Sequence, residues 1–329
     1  MKQKISRRDV LKITALMGGL AAGGRFLNRT LTPPAVRVSE QRVLMGTIIH
    51  LALIAESRAV GQAAIQAAFD HMEAQIQLFD PRQQDGPVGH LNRLGELNQP
   101  PSELVALLRQ ALAYGDITGG AFDITVKPVV DAHRQGWQIH SEALKRVDYH
   151  QVNVSDDLIS FGLPGMEITL DGIAKGRVVD AGVEILQSHG FDRVLVEAGG
   201  DLFAQGLNHQ EQPWRIAIRH PRAGAEAPWL AKLDAANYAV ATSADTMNSF
   251  RSDHSLHHII DPRMGVSPLE LCSATVIAPS TTQADAFATA VMVMGLEEGL
   301  AFIEHQEETA CLLVTKSLSV HRSSGFPVG

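Results

Sequence analysis

The chain has 329 residues, 45% hydrophobic and 19% charged, with 28 Lys and Arg against 36 Asp and Glu and two cysteines. It is too apolar for a disordered chain and too mixed in charge for a mostly membrane-embedded one, and two cysteines over this length cannot make a disulfide framework. The length suits one large domain or two ordinary ones.

Residues 1–30 differ from everything downstream. Ser6-Arg7-Arg8-Asp9-Val10-Leu11-Lys12 sets an arginine pair before the modest apolar stretch Ile13 to Ala22, the pattern of a bacterial twin-arginine export signal. That stretch is shorter than the ~18 residues of a spanning helix, and no cysteine follows it closely to take a lipid anchor. Ala21-Ala22-Gly23-Gly24 offers several small-residue cleavage points; cleavage gives a periplasmic protein, and retention leaves it tethered to the inner membrane. A tether is expected over 31–40 and one folded domain over 41–329. The first 30 residues hold seven Lys or Arg and one Asp, leaving 21 positive against 35 negative charges, a net near −14. Such a body repels phosphate backbones and anionic lipid, which argues against nucleic acid and against direct membrane-surface binding by the mature domain. An anionic ligand must then be held by local devices: a metal, helix N-termini or single lysines.

The β-branched run 42–54 reads as one or two strands. A helix follows from Arg58 to about Leu78, with Val60, Ala64, Ala67, Ala68, Met72 and Ile76 near helical spacing. Residues 80–100, rich in Asp, Gly, Pro and Asn, read as a loop long enough to be functional. Pro101 and Ser102 open a second helix with Leu104, Leu107, Leu108 and Leu112 on one face. Short alternating runs over 147–170 suggest strands, and Asp171 to Gly176 leads into a helix reaching about His189. Strands are expected at 193–197, 202–206, 214–219, 230–234, 238–242, 256–260 and 274–278. A helix from about Thr282 to Met294, a short helix and a strand near 310–315 close the chain. Without internal repeats or a low-complexity linker, this mixture predicts a single α+β domain of mixed, largely antiparallel sheets with packed helices. Cys272 and Cys311, both flanked by apolar residues, read as two buried thiols.

Five segments combine small residues, which let backbone approach a ligand, with groups that handle phosphate or metal. In Gly119-Gly120-Ala121-Phe122-Asp123 the glycines permit unusual backbone angles and the Phe offers a ring face; the plain alternative is a turn before a core Phe. Thr169-Leu170-Asp171-Gly172-Ile173-Ala174-Lys175-Gly176 passes from strand to helix, where free amides and one Lys can face an anion, though without P-loop spacing. Ala198-Gly199-Gly200-Asp201 sits at a strand end, where a turn is expected anyway. His257-His258-Ile259-Ile260-Asp261-Pro262 puts an imidazole and a carboxylate close in sequence, with His258 the candidate proton acceptor. In Thr282 to Ala290, Asp285 and Thr289 are four apart and share a helical face. A carboxylate plus a hydroxyl suits Mg²⁺; the local alternatives are a Thr282–Asp285 capping box and a Thr289 bond back to the carbonyl of 285.

Taken in order, these segments resemble the ApbE-type FAD:protein FMN transferases. The resembling stretches are Met45-Gly46-Thr47, Leu91-Asn92, Thr118 to Asp123, Gly172 to Gly176, Ala198 to Asp201, Ala241-Thr242-Ser243, His258 to Pro262 and Ala284 to Ala290. The resemblance implies an ApbE-like fold and Mg²⁺-dependent transfer of the FMN moiety of FAD to a Ser or Thr hydroxyl of an acceptor protein, with release of AMP. It implies metal ligands at the Gly172 carbonyl, the Asp285 carboxylate and the Thr289 hydroxyl. It implies FAD contacts from Met45, Phe79, Ala121, Phe122, Asp123, Thr169, Lys175 and Ile259. Lys175 would neutralise pyrophosphate charge alongside the metal, His258 would draw off the hydroxyl proton, and Asp261 would orient His258.

Three positions depart from the family pattern. Its Asp-Leu-Gly-Gly run is Thr169-Leu170-Asp171-Gly172 here, its flavin-stacking Tyr is Phe79, and its Thr-Ser-Gly is Thr242-Ser243-Ala244. The leader and the Thr-Leu-Asp-Gly run are similar to exported members associated with nitrous-oxide respiration, which makes a membrane redox subunit the expected acceptor. Two alternatives stand beside transfer: Mg²⁺-dependent FAD pyrophosphatase activity, in which water replaces the hydroxyl, and a non-catalytic extracytoplasmic FAD-binding or storage protein.

Overall fold

A computed structural model describes residues 35–137, 141–222 and 229–327; the expected export signal lies outside them. The compact unit begins at Ala35, and strand β1 (Val36–Leu44) runs through part of the stretch expected as tether. The run 42–54 divides between β1 and β2 (Thr47–Ala55). They pair antiparallel from Val36↔Ala55 to Leu44↔Thr47 around the two-residue turn Met45-Gly46, whose φ angles of 52° and 72° give the twist that favours hairpins.

Helix α1 (Arg58–Phe79) starts at Ser57, whose side chain accepts from Val60 N, and buries Ala64, Ile65, Ala68, Phe69, Met72, Ile76 and Phe79. The 80–100 stretch, expected as a loop, contains helix α2 (Pro87–Leu94) and strand β3 (Glu96–Asn98). Gly86, Pro87 and Gly95 are punctuation for that helix. Pro87 sits in the first turn, Gly95 closes the helix in the left-handed region, and Val88 and Leu91 bury between them. Helices α3 (Ser102–Ile117), α4 (Lys127–Arg134) and α5 (Ser141–Leu144) follow. Strands β4 (Val152–Val154) and β5 (Leu158–Phe161) join β3 in a small antiparallel sheet, order β3-β5-β4.

The rest of the chain completes the main sheet begun by β1 and β2 and adds a separate two-stranded sheet, Trp214–Arg219 with Trp229–Ala235. Its elements are α6 (Ala174–Ser188), β6 (Val194–Ala198), β7 (Asp201–Gln205), β8 (Trp214–Arg219), β9 (Trp229–Ala235), β10 (Tyr238–Ala244), β11 (Leu271–Ala278), α7 (Thr281–Met294), α8 (Leu296–Glu304), β12 (Ala310–Thr315) and β13 (Val320–Arg322). Eight strands lie in the order β1-β2-β6-β7-β10-β11-β12-β13, every neighbouring pair antiparallel. Strand β2 shows how the sheet is covered. Ile49, Leu51, Leu53 and Ala55 join the core that holds α1, α6 and α7, while Ala52 and Ile54 join a second core with the β8–β9 hairpin. Covering on both faces also explains why all eight residues of β11 are buried. Cys272 and Cys311 are buried free thiols, as expected.

Residues 256–260, expected as a strand, form no ladder. They belong to the loop 245–270, which shows only the single bridges Ser249↔His257 and Asp261↔Val266. The apolar residues there serve separate cores: Ile259 joins the main one, and Ile260 packs with Val126, Val129 and Val130.

Candidate active site

The site forms where α6 and α7 begin. Asp285, one turn into α7, sends its carboxylate to the start of α6, where Gly176 N donates to Oδ2 at 3.0 Å. In return, Asp180 on α6 accepts from the first amides of α7, Thr281 N and Thr282 N, both at 2.8 Å, and from Thr282 Oγ1 at 2.5 Å. The capping box weighed for Thr282 and Asp285 is absent: Ser280 caps α7 through Gln283 N, and Asp285 is released to the cleft. Thr289, one turn further along, meets the Ser243 hydroxyl at 3.2 Å, the partner actually found for its side chain.

Gly172 lies directly against this face. A Cβ there would stand 3.0 Å from Thr289 Oγ1 and 3.2 Å from Phe122 Cε2, so the bare backbone, the hydroxyl and the Phe122 ring converge. The turn carrying Gly172 is anchored from behind by Asn92, which donates to Ile168 O at 2.9 Å and accepts from Ile168 N at 2.7 Å. Thr169 N donates to Ile124 O at 2.8 Å, and Thr169 Oγ1 accepts from Asp171 N at 3.2 Å. Those bonds hold the 169–176 passage beside the 119–123 loop, whose Gly119 and Gly120 both take positive φ.

Lys175 pairs with Asp201, whose other oxygen accepts from Thr242 N at 3.0 Å. Burial works against the Lys175 charge, but Asp201 and Asp285 outweigh it and hold the ammonium protonated. Asp285 is 4% exposed, and burial pushes its carboxyl well up although Lys175 pulls the other way. A buried carboxylate with one amide donor and a displaced titration is short of positive charge. A hard cation fits that deficit, and the donors present at the face are all oxygens.

Several expected contacts are placed differently. Phe79 is 2% exposed, the last member of the buried stripe of α1, so its ring offers no face to a flavin. Asp123 is a loop anchor: Oδ1 accepts from Thr125 N at 2.7 Å and Thr125 Oγ1 at 2.6 Å, and Oδ2 from Tyr149 N at 3.2 Å. Ala121 and Ile259 are buried in the main core. Met45 is half-buried at the β1–β2 turn, which the register Ile49↔Ala198 sets beside the Ala198–Asp201 turn.

Asp261 does not orient His258. Both its oxygens go to Arg263, Oδ1 to Nε at 2.9 Å and Oδ2 to Nη2 at 3.0 Å, because an arginine two residues on in the same tight turn claims the carboxylate first. The buried Nδ1 of His258 has no hydrogen-bond partner among the described residues. Burial lowers its pKa, with Asp171 the main opposing influence, so the imidazole is neutral at pH 7. Among residues that sequence reasoning did not select, Asp180, Asp201 and Ser243 matter most. Asp201 stood in a quoted motif, whereas Asp180 lies 101 residues from Thr281 and carries no local signal.

The fold and the cleft define an antiparallel α+β protein in which two helix starts and glycine-bearing loops converge on oxygen donors and one lysine. The ApbE family model matches residues 45–313, and the chain belongs to the ApbE family. The FAD:protein FMN transferase of Treponema pallidum is 29% identical to it, covering 95% of this chain and 92% of that one. That of Escherichia coli K12 is 32% identical, covering 74% of each. Among solved structures, the flavin transferase ApbE from Vibrio cholerae has a TM-score of 0.76 at 26% identity, covering 89% of this chain and 99% of that one. The ApbE protein of Thermotoga maritima has a TM-score of 0.79 at 26% identity, covering 88% and 97%.

Proposed function

We propose that this protein transfers the FMN moiety of FAD to a Ser or Thr hydroxyl of an acceptor protein and releases AMP. Mg²⁺ would be held by the Asp285 carboxylate, the Thr289 hydroxyl and the Gly172 carbonyl. The observation that carries the reading is the meeting of Gly172, Asp285 and Thr289 next to the Lys175–Asp201 pair, in a member of a family whose similar proteins bear the name FAD:protein FMN transferase. A site with one carboxylate and neutral oxygens suits a cation that keeps some water and also binds substrate phosphate. Bound there, Mg²⁺ would supply charge neutralisation at the pyrophosphate.

The chain's own residues do the rest. Lys175 adds positive charge at the pyrophosphate, and the Phe122 ring and Thr169 line the approach. The acceptor oxygen bonds to the phosphorus of the FMN half as the bond from that phosphorus to the AMP oxygen breaks. AMP leaves with the electron pair, and the hydroxyl proton passes to neutral His258. We place this chemistry in the periplasm after twin-arginine export, with a membrane redox subunit as acceptor.

The test is incubation with FAD and Mg²⁺, with and without a membrane redox subunit from the same organism, read by AMP release and intact mass. Transfer requires AMP together with an FMN-sized gain on the subunit. AMP without that gain, or FAD left whole, rejects it. Asp285→Ala should abolish Mg²⁺-dependent turnover while the protein stays folded; full activity in that variant would remove Asp285 from the metal set.

A further inference from the structure

Strand β10 contributes Thr242 and Ser243 to the cleft, and Asp245 follows two residues later as the centre of a separate charge cluster. Arg222 Nη1 donates to Asp245 Oδ1 at 2.7 Å and Nη2 to Oδ2 at 2.6 Å. The Lys316 ammonium stands 2.7 Å from the same Oδ2 and also donates to the carbonyl of His254 at 2.8 Å. Asp245 N donates to Cys272 O at 3.1 Å. One fully buried carboxylate thus ties together the segments after β8, β10 and β12 and, through Lys316, the middle of the 245–270 loop.

Burying the Asp245 carboxylate beneath two cations that are themselves only partly buried costs desolvation that plain attachment of a loop to a sheet does not require. What the loop carries is His258. Past His254 it is stapled again: His257 N donates to Ser267 Oγ at 2.9 Å, and Ser267 Oγ donates back to His257 O at 2.8 Å. His258 comes next, with its buried Nδ1 unpartnered among the described residues. The one polar contact of its ring among the described residues is with the backbone of Met247, at the start of the same loop, so its aim follows the backbone these bonds hold.

We propose that Arg222, Asp245 and Lys316 form a positioning device for His258, setting where the imidazole stands for proton transfer while leaving FAD binding alone. The proposal rests on the reading of His258 as proton acceptor. The test is Lys316→Met, which keeps the aliphatic stem and removes the ammonium, in the full chain with FAD, Mg²⁺ and the redox subunit named above. The expected result is a fall in kcat of about tenfold or more with the FAD Kd, from flavin fluorescence titration, changed by less than about twofold. Lys316→Arg should restore most of the rate. In a His258→Ala background, Lys316→Met should cost nothing further, because a device that acts through an absent group has nothing left to place. Should Lys316→Met fold poorly, Arg222→Gln takes its place in the same cycle. An unchanged kcat in folded protein, or losses that multiply in the double variant, overturns the proposal. An unchanged rate in His258→Ala alone overturns the underlying reading of His258, and the proposal with it.

Discussion

At Gly176 the missing side chain is what lets two helices touch. A Cβ there would stand 2.6 Å from Thr281 C and 2.8 Å from Thr282 Cα, both backbone atoms that cannot swing aside. Gly176→Ala is expected to cost about 2–3 kcal/mol through overpacking and to displace Gly176 N from Asp285. Thermal unfolding with and without Mg²⁺ checks both parts: Tm falls, and the Mg²⁺-dependent increment shrinks. That Gly172, Asp285 and Thr289 would stand at one cleft was legible because each sits in a short motif with a chemical reason for its residue type. Phe79 was misjudged although its own pattern was informative, since it continues the stripe of Phe69, Met72 and Ile76 at helical spacing. Asp261 was misjudged because closeness to His258 in sequence says nothing about aim once the segment is a loop, and Arg263 lay nearer still.

Between elements, α6 and α7 are stitched in both directions, Asp285 to the backbone of one and Asp180 to the backbone of the other. Asp180 works as a helix cap supplied from a neighbour, its charge favoured at the positive end of α7. Asp180→Ala should destabilise by ~1–2 kcal/mol, as cap removals do, with Asp180→Asn milder; urea titration measures both. Helix α1 and strand β8 were readable because their periodicity is regular over their whole length, and β12 because it is a short continuous apolar run. The loop 245–270 was not, for the alternation around Ile259 and Ile260 mimics a strand while feeding two cores. Helix α2 was hidden by its brevity, its caps outweighing its three buried residues, one of them a glycine, in the composition.

For the molecule as a whole, the order of the eight strands could not be read from local pattern, since β2 beside β6 and β11 beside β12 skip intervening elements. The same long-range closure buries groups whose charge depends on pH. His257 has its pKa lowered to about 4 by burial, with His258 and Lys316 adding to the effect. Its folded form stays neutral while the unfolded imidazole takes a proton, so stability present at neutral pH is lost as pH falls from about 6.5 to 4. Asp245 acts in a lower window. Burial opposes its charge, but Arg222 and Lys316 prevail and lower its pKa, so its contribution holds above the unfolded value and is lost below it. The raised carboxyls of Asp123, Asp180 and Asp285 carry the opposite sign, which makes comparison with a variant necessary. Urea titrations at pH 7.5 and 4.5 should show His257→Gln losing less on acidification than the parent, by roughly 2–3 kcal/mol; equal losses would refute the assignment.

The stitches between α6 and α7 join residues more than a hundred positions apart. A growing chain therefore has no cleft until residue 289 has left the ribosome and swung back onto α6. Chain order alone keeps the groups proposed to hold cation and flavin apart until both helices have emerged and packed against one another.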